Sequence, residues 1–204
     1  MKLYYSKGAC SLAVRILLHE MGIPCEFELV NLQTKKTEKG EDFLAINPKG
    51  AVPTLKLDTG EILTENGVIQ QYLADKHHAT KLFPPNTQFD HYQVLEWMNY
   101  VATDLHKNCS PLFNPNIPAE LKEKMFVPYL RTKFDYVDKH LKNRNYLVGN
   151  SFTLPDAYLF TVARWLPHFG IDRKSWPHLS RFFEACKEKK SVLQALSEEQ
   201  LSAD

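Results

Sequence analysis

The spacing of apolar and polar residues divides the chain into two parts that meet near residue 80. In the first part, short alternating runs typical of strands are interleaved with stretches whose apolar residues recur at helical spacing. Strands are predicted at 2–5, 26–30, 54–57 and 61–63, and helices at 11–21, 43–46 and around 68–73. This order, β-α-β-α-β-β-α, is typical of an α/β layer.

Turn residues support this division. The Asp58-Thr59-Gly60 turn predicts that the last two strands form an antiparallel hairpin. Gly22 stands where a left-handed residue ends the first helix. The polar, lysine-rich stretch 31–42 predicts an exposed loop.

From about residue 89 onward, every long segment has helical spacing. The preceding stretch 77–88 contains a double proline and is typical of an inter-domain linker. The predicted helices cover 92–112, 121–141, 154–169 and 179–189. We therefore predict an α/β domain over residues 1–81 and an all-α domain over 87–204.

Composition and charge exclude several classes of protein. The 204 residues carry 25 Lys and Arg against 24 Asp and Glu, so no basic field for nucleic acid is expected. No stretch approaches the roughly 20 apolar residues that span a bilayer, and no secretory signal is seen. We expect a cytoplasmic protein with no membrane partner.

The four cysteines, at positions 10, 25, 109 and 186, have neither C-x-x-C nor zinc-type spacing. Free thiols and no metal are therefore expected. Cys10 lies at the predicted start of the first helix, where unpaired N–H groups favour a thiolate. A role as a small buried hydrophobic residue accounts for Cys10 equally well, and the residues alone leave both interpretations open.

Five motifs together resemble the cytosolic glutathione S-transferases and, within them, the bacterial beta class. They are KLYYSKGACSLA, NPKGAVPTL, LTENG, EWMNYVATDLHK and FTLPDAYLFTVARW, spread over nearly the whole chain. The resemblance implies a thioredoxin-like first domain, an all-α second domain, glutathione as co-substrate and a homodimer. It implies conjugation of the glutathione thiolate to small hydrophobic electrophiles, with thiol-disulfide exchange or peroxidase side activity through Cys10.

In the first domain, the resemblance assigns glutathione contacts to positions that also have plainer explanations. It places Cys10 beside the glutathione sulfur and Lys35 near the glycyl carboxylate, although Lys36 suits that role too. The bond between Val52 and Pro53 is expected to be cis, with the Val52 backbone free to pair with a peptide ligand.

The LTENG motif precedes the third helix, and both Thr64 and Asn66 are good N-caps. By resemblance, Glu65 meets the ammonium of the γ-glutamyl end, and the Asn66 backbone N–H meets its carboxylate. Tyr5 and Ser11 lie near Cys10 in the chain and compete with it for the thiol-activating role.

In the second domain, Asn99, Thr103 and His106 are spaced to share one helical face. A structural role is the plainer explanation for a lone histidine. By resemblance, this face contributes to the glutathione site, and His106 and Lys107 lie near the thiol, His106 as a catalytic residue. Asp104 is expected to reach the glutathione of the partner subunit.

Further along, Thr153 and Asp156 have capping-box spacing, which predicts a structural role. Aromatic side chains are candidates for the wall of the second-substrate site. They are Phe113, Trp165, His168 and Phe169.

Two rival functions remain open beside conjugation. One is a glutaredoxin-like, glutathione-dependent thiol transferase in which Cys10 forms a mixed disulfide. The other is a non-catalytic glutathione-binding stress protein of the same fold, against which the complete set of motif residues argues.

Overall fold

The computed structural model describes residues 1–202, which form two compact units. One unit comprises Met1–Thr80 together with the chain from Lys187 onward, and the other comprises Lys81–Cys186. The predicted boundaries, 1–81 and 87–204, place the end of the chain with the second unit instead. That segment groups with the first unit because its helix packs against the helix that follows the first strand.

The first unit contains one five-stranded sheet. Its strands are β1 Lys2–Tyr5, β2 Glu26–Asn31, β3 Lys36–Thr37, β4 Thr54–Lys56 and β5 Ile62–Thr64. They lie in the order β3-β2-β1-β4-β5, with β1 and β2 parallel and all other neighbours antiparallel. The four predicted strands and the hairpin are confirmed. β3 lies in the stretch predicted as a loop. The strand has only two residues and only Thr37 is buried, so the sequence contains no alternating apolar pattern that would indicate it.

Three helices follow the strands of this unit, α1 Ser11–Glu20, α2 Phe43–Ile46 and α3 Asn66–Lys76. The α1 helix is buried from its first residue to Leu18. It ends where Gly22 adopts a φ of 65°, a conformation that glycine takes without strain. A cluster of buried apolar residues joins β1, α1, β4 and α3, so the sheet and its helices share a core around the first strand.

The second unit contains no strand between Lys81 and Cys186, which confirms the all-α prediction. Its helices are α4 Phe89–Tyr100, α5 Lys107–Phe113, α6 Ala119–Leu121, α7 Val127–Leu141, α8 Leu154–Ala163 and α9 Pro177–Lys187. Two π-helical turns, Val101–His106 and Lys122–Phe126, join α4 to α5 and α6 to α7. The helices predicted at 92–112 and 121–141 are therefore not uniformly α-helical.

The last helix, α10 Lys190–Glu198, belongs to the first unit and is held by buried charge. Arg15 of α1 is almost completely buried, and its guanidinium lies 2.9 Å from Glu198 and 3.1 Å from Glu199. The Glu199 carboxylate also accepts a hydrogen bond from the Gly8 N–H at 2.8 Å. These contacts tie the end of the chain to the loop between β1 and α1.

The start of α8 contains the predicted capping box. The fully buried Asp156 carboxylate accepts hydrogen bonds from the Thr153 N–H at 2.8 Å and the Leu147 N–H at 2.9 Å. Asp156 therefore joins the preceding loop to the helix, which confirms its structural role.

Candidate active site

Cys10 lies at the N-terminal end of α1, as predicted, in the loop that connects β1 to this helix. Its side chain is buried, with 8% of the residue exposed. The Cys10 thiol donates a hydrogen bond to the Val52 carbonyl oxygen, with 3.2 Å between sulfur and oxygen. The thiol is thus directed at the segment that leads into β4.

The structure does not show the lowered pKa that the thiolate interpretation of Cys10 predicts. Burial raises the pKa of the Cys10 thiol to about 11. Hydrogen bonding by the Asn66 side chain and by the backbone N–H groups of Cys10 and Ser11 opposes this change without reversing it. The prediction of a lowered pKa is therefore wrong for the ligand-free protein, because burial destabilises the thiolate more than the hydrogen bonds at the helix start stabilise it.

The peptide bond between Val52 and Pro53 is cis, which confirms the prediction. Both residues are buried, and Val52 stands immediately before the segment that enters β4. The Val52 carbonyl oxygen accepts a hydrogen bond from Cys10, but the Val52 N–H has no hydrogen-bond partner among residues 1–202. A free N–H at the end of a strand can pair with an extended peptide.

Glu65 and Asn66 form the junction between β5 and α3. Glu65 has a φ of 74°, a left-handed conformation that is strained for a residue other than glycine. Its carboxylate lies 2.6 Å from the Lys49 ammonium, which also donates to Thr64 Oγ1 at 3.0 Å. Neither Thr64 nor Asn66 caps α3, contrary to their prediction as N-caps, because the Thr64 hydroxyl faces Lys49.

The Asn66 side chain is directed at the thiol loop. Its Nδ2 donates to the Cys10 carbonyl oxygen at 2.6 Å, and its Oδ1 accepts from the Gln70 amide. In the part of the chain that the structure describes, the N–H groups of Asn66 and Gly67 donate no hydrogen bond. Such free N–H groups at the start of a long helix attract a carboxylate.

Lys35 lies near the same segment. It has a left-handed φ of 55°, and its ammonium donates to the Gly50 carbonyl oxygen at 2.8 Å. Lys36 is exposed in β3. Of the two lysines proposed for the glycyl carboxylate, Lys35 is thus the one held beside the residues that precede Val52.

In the second unit, His106 ends the π-helical turn and is partly buried. Its Nδ1 lies 2.6 Å from the hydroxyl oxygen of Tyr158 in α8. Burial, with a smaller contribution from the Lys107 charge, lowers the pKa of His106 to about 4. The imidazole is therefore neutral at ordinary pH, so it can offer a hydrogen bond but not a positive charge.

The four aromatic candidates for the second-substrate wall lie together. The Phe113 ring packs against Trp165, His168 and Phe169, with ring centroids 5.4, 5.5 and 4.7 Å away. Trp165 in turn lies 5.0 Å from the His106 ring. Phe113 is 45% exposed, so the cluster keeps an accessible aromatic surface.

Asn99 and Thr103 are exposed, whereas His106 is directed at Tyr158. The Thr103 hydroxyl lies 2.9 Å from both the Asn99 carbonyl oxygen and the Asp104 carboxylate. A hydrogen bond from Lys133, 2.7 Å away, lowers the pKa of Asp104. The prediction that Asn99, Thr103 and His106 share one face assumes α-helical spacing throughout. The π-helical turn Val101–His106 has a different number of residues per turn, so that spacing does not apply there.

Three contacts of these sites were missed by sequence reasoning. Lys49 lies in the quoted NPKGAVPTL motif, but nothing local indicates its pairing with Glu65. Gln70 is four residues after Asn66, a helical spacing that does indicate contact. Tyr158 lies 52 residues from His106, so no local pattern joins them.

Comparison with known proteins decides the family. The family model for the glutathione S-transferase N-terminal domain matches residues 8–76, and that for the C-terminal domain matches residues 105–190. The chain belongs to the glutathione S-transferase family. It is 43% identical to the glutathione S-transferase GstA of Escherichia coli O157:H7, over 98% of this chain and all of that protein.

Solved structures of other family members agree. A beta class glutathione S-transferase of Sphingomonas chungbukensis is 37% identical and has a TM-score of 0.95, over 99% of this chain and all of that one. A sphingomonad glutathione S-transferase complexed with glutathione is 39% identical with a TM-score of 0.94, at the same coverage. The beta class resemblance, the thioredoxin-like and helical domains, and glutathione conjugation are thereby confirmed.

Two absences concern the described part of the chain only. Residues 1–202 contain no group of three or more His, Cys, Asp or Glu side chains arranged to hold a metal ion. No helix among them is long and apolar enough to span a membrane.

Proposed function

We propose that this transferase binds glutathione on its first unit, along the segment from Gly50 to Gly67. The observation that carries the proposal is the free N–H of Val52. The Val52 carbonyl oxygen accepts a hydrogen bond from the Cys10 thiol, but the Val52 N–H remains available. The cysteinyl residue of glutathione would pair with that N–H as an added strand. Its sulfur would then lie near Cys10 and Pro53.

The charges of glutathione have matching partners on both sides of Val52. The free N–H groups at the start of α3, on Asn66 and Gly67, suit the γ-glutamyl carboxylate. The Glu65 carboxylate suits the ammonium of the γ-glutamyl residue, and that ammonium would replace the Lys49 ammonium as its partner. The Lys35 ammonium suits the glycyl carboxylate.

The second unit supplies the remaining predicted residues. The aromatic cluster around Phe113 suits a small hydrophobic electrophile, because aromatic rings offer a large apolar surface. We propose a hydrogen-bond role for His106 toward the glutathione sulfur, and ligand contacts for Asn99 and Thr103. Asp104 is proposed to reach the ligand of a partner subunit.

The experiment is retention on immobilised glutathione, followed by assays for conjugation and for disulfide reduction. We expect Glu65→Ala to weaken retention and to raise KM for glutathione about tenfold, because it removes the carboxylate that pairs with the ammonium. Glu188→Ala is the matched control, since Glu188 is an exposed carboxylate of the same unit. Equal retention of wild type and Glu65→Ala would contradict the proposed γ-glutamyl contact.

A further inference from the structure

The proposed role of His106 in conjugation does not account for the contact between its ring and the buried Tyr158 hydroxyl. Tyr158 lies in the fully buried helix α8 and is 2% exposed. Its hydroxyl oxygen and His106 Nδ1 are separated by 2.6 Å, which is a short hydrogen bond. The rings meet edge to face, with centroids 5.7 Å apart. The imidazole therefore has one nitrogen occupied by a rigidly held partner.

A neutral imidazole carries a single N–H, and its neighbours decide which nitrogen holds it. A phenol, with a pKa near 10, is a better hydrogen-bond donor than a neutral imidazole N–H. The imidazole lone pair is in turn a better acceptor than a phenol oxygen. The arrangement favoured by this chemistry has the Tyr158 O–H donating to Nδ1, which puts the imidazole proton on Nε2.

We propose that Tyr158 is a positioning residue that fixes His106 in the Nε2–H tautomer. The ring then presents one N–H donor on the side away from Tyr158, and that donor suits a developing or formed thiolate. This inference rests on the proposed role of His106 toward the glutathione sulfur. Tyr158 acts only through His106 and touches no substrate.

The first test is a nitrogen NMR measurement on the full-length, ligand-free protein with ¹⁵N-labelled histidine. The resonances of His106 are identified by their loss in His106→Gln. We expect a protonated Nε2 and an unprotonated Nδ1 in wild type, and a mixture of both tautomers in Tyr158→Phe. Tyr146→Phe is the control, because Tyr146 contacts Phe152 through its ring and lies in the same unit.

The second test is kinetic. We expect Tyr158→Phe to lower kcat for conjugation about fivefold to tenfold with little change in KM for glutathione, since one orienting hydrogen bond is lost. In the His106→Gln background, Tyr158→Phe should have no further effect on kcat. Circular dichroism and thermal unfolding of Tyr158→Phe check that the variant keeps the wild-type fold.

The outcomes separate this inference from the proposed function. An Nδ1–H tautomer in wild type, or one unchanged by Tyr158→Phe, would overturn the inference and leave glutathione binding intact. A changed tautomer with full conjugation in both Tyr158→Phe and His106→Gln would instead overturn the proposed role of His106. An additive loss in the double variant would mean that Tyr158 acts by another route.

Discussion

At the scale of single residues, Cys10 shows two physical effects acting on one sulfur with opposite signs. The start of α1 provides N–H groups that favour the thiolate, and the surrounding protein removes the water that would solvate it. With only 8% of the residue exposed, the loss of hydration dominates and the pKa rises to about 11. The hydrogen bond to Val52 keeps the neutral thiol in place.

This pKa leads to a prediction for exchange with oxidised glutathione. The Cys10 thiolate would attack one sulfur of the disulfide, form a protein–glutathione disulfide and release one glutathione thiolate. Because the pH lies below a pKa of about 11, the thiolate fraction and hence the rate should rise roughly tenfold per pH unit between pH 7 and 9. Intact-protein mass spectrometry measures the rate, and a rate independent of pH would contradict the raised pKa.

The same experiment on Cys10→Ala separates exchange from conjugation. We expect no adduct in Cys10→Ala but a retained part of the conjugating activity, because bound glutathione carries its own nucleophilic sulfur. Cys25→Ala, which removes a partly exposed thiol of the same unit, should behave as wild type. An adduct that persists in Cys10→Ala would assign the exchange to another cysteine.

At the scale of elements, the ends and irregularities of helices carry most of the candidate chemistry. Cys10 immediately precedes α1, the strained Glu65 immediately precedes α3, and a π-helical turn carries Thr103, Asp104 and His106. Interruptions of regular structure leave backbone groups available for ligands and redirect side chains. The start of α8 differs, because its capping box satisfies the backbone internally and serves stability.

Asp156→Ala should therefore destabilise the protein without a direct effect on the site. The change leaves the buried N–H groups of Thr153 and Leu147 without their acceptor, which lowers the free energy of unfolding by about 3 kcal/mol. Urea unfolding followed by circular dichroism measures this loss. Asp172→Ala removes an exposed cap of a short 3₁₀ turn and should lose about 1 kcal/mol or less. Equal losses in the two variants would contradict the role of burial.

At the scale of the whole molecule, the family resemblance predicts a homodimer. Light scattering at micromolar concentration should report about twice the mass of one 23.6 kDa chain. Asp104→Ala should keep that mass while raising KM for glutathione, if the Asp104 carboxylate reaches the partner's ligand. A mass of one chain would remove this cross-subunit contact from the proposal.

The grouping of the chain is also decided at this scale. Helix α10 belongs to the first unit through the buried Arg15 and its contacts with Glu198 and Glu199. These residues are more than 180 positions apart in the chain. A linear division at the linker assigns the end of the chain to the helical domain, because spacing along the sequence contains no information on which distant helix it meets.

By itself, the sequence determined the type of nearly every element and the family. Local spacing decides whether a segment can bury a strand face or a helix stripe, and the five motifs are distributed over the whole chain. Neighbouring residues also placed Cys10 at a helix start and Asp156 in a cap, whereas the cis bond before Pro53 was expected only from the family resemblance.

Only the tertiary structure decided the protonation of the two predicted catalytic residues. The raised pKa of Cys10 and the lowered pKa of His106 both follow from burial by residues far away in the chain. The contacts of Tyr158 with His106 and of Lys49 with Glu65 likewise join residues that no local pattern brings together. A residue's type and position in the sequence limit its chemistry, but hydration and hydrogen-bond partners, which set its charge, are assembled only by folding.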